Sequence, residues 1–102
     1  MEIKKTFSIM DTTFDCIVSE EQPPLSALNN FSVMRQDSIG TSFFHSGRWI
    51  NINHIGMLSQ MALSAVHDSG FKSGYVTITN VDIFDMYGNH IVSLPKGNQD
   101  NG

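Results

Sequence analysis

The side chains with which this chain could do chemistry are four histidines, one cysteine and ten carboxylates. Neutral imidazole is the commonest protein ligand for a transition metal, so His45, His54, His67 and His90 are the first residues to test. No two of them stand three or four residues apart, and no HExxH, HxH or Cys-His cluster occurs. His54 and His67 lie at opposite ends of the helix predicted below, which holds them roughly 20 Å apart at about 1.5 Å of rise per residue. They cannot share a metal. His67 is better read as a residue favoured at the negative end of the helix dipole. His45 with His90 is the one histidine pairing left open, and the sequence predicts neither a metal site nor a cofactor.

Cys16 lies in the middle of an alternating apolar segment rather than at a strand end or a helix N-terminus, where a thiolate would be stabilised. The sequence reads it as an inert core thiol. Serines are numerous, yet there is no GxSxG elbow and no SxxK, and the glycines form neither GxGxxG nor GxxxxGK[ST]. Paired carboxylates can act as general acid and base, and Asp82 with Asp85 is the pair to weigh. Asp85 is most simply the residue that opens a turn and Asp82 a solvent-facing strand residue, while Glu20 and Glu21 precede two prolines in a solvated loop. No catalytic residue is predicted.

Recognition is the chemistry left. The segment FFHSGRWIN sets Phe43, Phe44, His45, Arg48 and Trp49 around a turn, and Trp, Tyr and Arg are the types enriched at binding hot spots. The competing reading makes one of the two phenylalanines and Trp49 core residues on neighbouring strands, with Arg48 stacked on the indole. Met86 and Tyr87 form a second candidate surface, because an apolar pair at a hairpin tip is unusual unless it docks on something.

The elements that would carry these residues follow from periodicity. Ile3, Phe7 and Ile9 alternate with Lys4, Thr6 and Ser8, as in a half-buried strand, and Lys5 is the one intruder on the apolar side. Phe14, Cys16 and Val18 repeat the pattern after a polar break at residues 11–13, predicting an antiparallel hairpin. Pro23 and Pro24 then force a loop, with room for one short turn over residues 25–28. Strands follow around Phe31 to Gln36, Thr41 to His45 and Trp49 to Ile52, separated by turns at Asp37 to Gly40 and Ser46-Gly47. Ile55, Leu58, Ala62, Ala65 and Val66 recur at helical spacing over residues 54–69, with Asn53 placed to cap the start and Gly70 to end it. Residues 74–84 read as a strand with a bulge at Thr79-Asn80. Asp85 to Asn89 reads as a type I turn closed by a left-handed glycine, and residues 90–94 as its partner strand.

The predicted class is therefore α+β: an antiparallel sheet of about five to six strands with one main amphipathic helix on one face. Residues 1–95 form a single domain and 96–102 a polar, frayed tail. A chain of 102 residues with 40% apolar content can bury one core without metals or disulfides. Six Lys and Arg in all, with a net charge of −4, disfavour direct nucleic-acid binding, which needs clustered phosphate contacts. The lone cysteine and the interrupted hydrophobicity of the first residues predict a cytoplasmic protein without a signal peptide or membrane span. Elimination leaves a non-enzymatic protein-binding module, in its sharper form a small acidic inhibitor or immunity-type protein steered to a basic partner by its charge. Glu20, Glu21, Asp37, Asp82 and Asp85 would supply the electrostatics, with Arg48, Trp49, Met86 and Tyr87 as anchors. Two alternatives stand beside it. One is a small enzyme or ligand-binding protein using His45 or His90 in a pocket between helix and sheet, and the other is a homodimer or larger homo-oligomer joined through sheet edges.

Overall fold

The computed structural model describes residues 2–30 and 32–94. β1 (Glu2–Ile9) and β2 (Thr12–Ser19) form the first hairpin, and α1 (Leu25–Asn30) leads to β3 (Ser32–Asp37). β4 (Gly40–His45) and β5 (Arg48–Asn51) then extend the sheet, α2 (Gly56–Asp68) crosses it, and β6 (Gly74–Phe84) with β7 (His90–Leu94) closes the order. All seven strands join one sheet in the order β1-β2-β6-β3-β4-β5, with β7 on β6. Every pairing is antiparallel. The α+β class is as predicted, with one strand more than expected. The expected tail at residues 96–102, and Pro95 before it, lie outside the described residues.

β6 organises the sheet because it is the longest strand and has neighbours on both edges. β2 runs along one edge, while β3 takes residues 74–78 of the other and β7 takes residues 81–84. β2 and β3 both run antiparallel to β6 and so parallel to each other, and a parallel pair needs a crossover rather than a tight turn. Residues 20–30 carry it as far as the described chain shows. The prolines that forbid ladder bonds begin it, and the short α1, whose Leu28 amide bonds the Pro24 carbonyl at 3.2 Å, carries it back.

Side chains alternate across a strand, so the register sorts the whole sheet into two faces. Phe7, Ile9, Phe14, Cys16, Val18, Met34, Phe43, Val76, Ile78 and Val81 point to the α2 side and enclose Met61, Ala62, Ala65 and Val66 of the helix. The alternation of β6 slips once. Asp15 faces Asn80 and Cys16 faces Ile78, leaving Thr79 over as the predicted bulge, and the Thr79 hydroxyl donates to the Asp15 carbonyl at 3.1 Å. Without that extra residue Val81 and Ile83 would turn away from the helix.

The ends of α2 divide into one confirmed signal and one correction. Gly70 adopts φ +83°, its amide bonds the His67 carbonyl and the Phe71 amide bonds that of Val66. Those two bonds make a Schellman stop, and Phe71 packs against the core. At the other end Asn53 does not cap the helix, which begins at Gly56 behind Ile55 with no side-chain cap. The Asn53 carboxamide instead accepts the Thr41 amide of β4 at 2.6 Å. It is pressed against Gly40, where a side chain would have no room. The Ser59 hydroxyl supplies local support by donating to the Gly56 carbonyl at 3.0 Å.

Candidate protein-binding face

The face opposite α2 is covered only in part. Val33 alternates with Met34 and so points away from the α2 core, yet it is fully buried, and so is most of Leu28 in α1. α1 contacts β3, and its Leu28 is buried outside the core cluster under α2. On either side of it the sheet presents polar and aromatic groups.

On the β3-β4-β5 side, Trp49 lies in a cluster built from four strands. Its ring meets Phe44 edge-on at 5.3 Å between centroids and Tyr75 at 5.9 Å. The Arg35 guanidinium carbon lies 4.6 Å from the indole centroid, a cation-π geometry. Small Ser42 faces Arg35 on β4 and leaves the indole room to reach across. Asp37 holds the guanidinium from its own strand, with Nε 3.5 Å from a carboxylate oxygen, while its other oxygen accepts the Ile39 and Gly40 amides of the turn. Arg35 Nε has no hydrogen-bond partner among the described residues. The expected stacking of Arg48 on Trp49 is therefore corrected. Neighbours in a strand point to opposite faces, so Arg48 projects exposed on the α2 side across from His45, and the stacking cation comes from position 35. Phe43 is the core phenylalanine and Phe44 the one on the face opposite α2.

On the β2-β6-β7 side, Asp15, Asn80, Asp82, His90 and Ser93 form a hydrogen-bonded strip. The Asn80 amide donates to Asp82 at 2.8 Å, His90 Nε2 lies 3.1 Å from the same carboxyl group and 2.8 Å from Ser93 Oγ, and the Ser93 hydroxyl donates to Asp82. Ser, His and Asp thus meet, but not as a relay. A working triad uses one imidazole nitrogen for the acid and the other for the nucleophile, whereas here a single nitrogen faces both and the serine proton is already given to the carboxylate. The trio ties β7 to β6. Chiefly the Ser93 hydroxyl, helped by His90 and Asn80 and opposed by partial desolvation, holds the Asp82 carboxyl below its ordinary value. Sequence reasoning missed this trio. Its signal was the hairpin register, which puts Asp82 opposite Ser93.

The remaining sequence candidates lie apart from this face. Asp85 opens the β6-β7 turn, accepting the Tyr87 and Asn89 amides at 2.9 Å each, and these bonds, Asn89 first, lower its pKa. Met86 and Tyr87 are 80% and 81% exposed at the tip. Glu20 and Glu21 are exposed in the β2-α1 loop. His45 and His90 are on opposite faces, so the register does not bring them together. Cys16 is buried in the core, and burial, with the nearby Asp15 charge, pushes its thiol up to about 12. A thiol so buried is held in its protonated form at neutral pH. Among the described residues no three His, Cys, Asp or Glu side chains gather as a metal would require, and no helix is long and apolar enough to cross a membrane.

No protein-family model, curated protein or solved structure matches the chain.

Proposed function

We propose that this chain is a non-enzymatic protein-binding module that docks the sheet face opposite α2 on a basic protein partner. It acts in the cytoplasm as a small inhibitor or immunity-type protein, neutralising a toxin or a nucleic-acid-handling defence complex. The carrying observation is Trp49, half-buried rather than core, held between Phe44, Tyr75 and a stacked Arg35. Aromatic and arginine side chains locked in place by neighbours lose little freedom on association, and they are the types that dominate binding energy. Asp15, Asp37 and Asp82 project from the same face by register, and with a net charge of −4 they favour a cationic partner and speed its encounter.

The reading is tested by affinity purification from the native host at low salt with mass spectrometry of the recovered proteins. It predicts a near-stoichiometric basic partner whose recovery falls as salt rises, because screening shortens the reach of the aspartates. Recovery of this chain alone would overturn it.

A further inference from the structure

A second surface lies on the other side of the molecule. β1 is the first strand of the sheet order, and among the described residues it pairs with β2 alone. Every second residue of this eight-residue strand therefore turns its N–H and C=O outward along one edge. Beside that edge a cleft of about 440 Å³ opens between β1 and α2, lined by Phe7, Ile9, Met57, Met61, Gln60 and Ser64 among others. Its walls are mostly apolar, its polar groups are neutral, and Met57 is 55% exposed. An edge strand beside a helix-walled apolar cleft has the two parts that strand addition uses, backbone for affinity and a pocket for alternate side chains.

We infer that the β1 edge and this cleft take up an extended, acidic segment of another protein as an added strand. The occupant's chemistry follows from charge. Lys4 and Lys5 lie side by side in the middle of β1, one on each face, with Glu2 as the only carboxylate of the strand. A second copy of this chain, pairing β1 on β1 antiparallel with matched faces, would bring both lysine pairs close to the two-fold axis. Like charges across a ladder repel, whereas opposite charges attract. A segment with acidic residues beside Lys4 and Lys5 and apolar side chains toward Phe7, Ile9 and Met57 meets both the charge and the cleft. This site is independent of the Trp49 face and stands or falls separately.

The probe is a fluorescein-labelled eight-residue peptide with leucine alternating with threonine in one half and two glutamates in the other. Its counterpart carries lysines in place of the glutamates, and both are titrated by fluorescence anisotropy. Saturable binding of the glutamate peptide is expected, with the lysine peptide about fivefold weaker or worse, as two charge pairs on a ladder would give. Lys5→Glu should remove that preference and Lys4→Glu/Lys5→Glu together reverse it, and Met57→Glu, at an exposed position, should abolish binding of either peptide while the circular dichroism spectrum stays unchanged. Failure of the glutamate peptide to saturate by about 1 mM, a value set well above the micromolar range of specific recognition, overturns the inference. So does equal binding of the two peptides, or binding that Met57→Glu leaves intact. A wild-type dimer in sedimentation equilibrium that Met57→Glu dissolves would assign the edge to a second copy and overturn it equally.

Discussion

Asp82 and Asp85 show how single residues of the last hairpin make stability depend on pH. Both carboxyls are held below their ordinary value of 3.8, so the folded chain binds fewer protons there than the unfolded one. Their stabilisation is complete above that ordinary value and is lost as pH falls through the lower folded values. Thermal melts should therefore show the midpoint dropping as pH falls below about 4, and Asp85→Asn should flatten the drop. An Asp85→Asn variant with the wild-type pH profile would refute the assignment. Cys16 gives a second residue-scale expectation, since a buried thiol near pKa 12 reacts as a thiol and not as a thiolate. An aromatic disulfide reagent should label it only as fast as the chain unfolds, and rapid labelling of the native protein would contradict its burial.

At the scale of elements, the ends of α2 show what is legible in sequence and what is not. The Gly70 stop is a local device, written in adjacent residues, and the structure reproduces it bond for bond. The use of Asn53 is a tertiary matter. Its carboxamide bonds an amide twelve residues back, and nothing in the local pattern distinguishes that partner from a helix amide. Asn53→Ala should leave the Thr41 amide without its partner and cost about 1–2 kcal/mol, measured by urea unfolding, whereas a loss confined to helix content would favour capping after all. The same division runs through the site. The bulge at Thr79 and the turn at Asp85 follow from slipped alternation and turn chemistry, but Arg35 beside Trp49 depends on β3 lying next to β4 and β6. The sequence stacked Arg48 rather than Arg35 on Trp49 because strand order is not written in spacing.

At the scale of the whole molecule, the fold divides its labour between two faces. The helix side is core, and shortening Met34, which is 1% exposed, to alanine should destabilise the chain by about 2–5 kcal/mol. A loss below about 1 kcal/mol would mean that the helix does not seal this core. The opposite face carries Trp49, Arg35, Tyr75 and the aspartates around a buried Val33. Each sequence candidate takes its place accordingly. Asp37 and Asp82 lie on this face with Trp49, Arg48 projects from β5 on the helix side, and Met86, Tyr87, Glu20 and Glu21 occupy tips and loops away from its centre. The central claim is that this face, and not the helix side, holds the basic partner. The most direct measurement is parallel purification from the native host with wild type, the Trp49→Ala/Arg35→Ala double variant and a Met57→Ala control. The account predicts one basic protein recovered with wild type and control and lost at least tenfold with the double variant, the scale of a hot-spot truncation. Equal recovery with all three would contradict it.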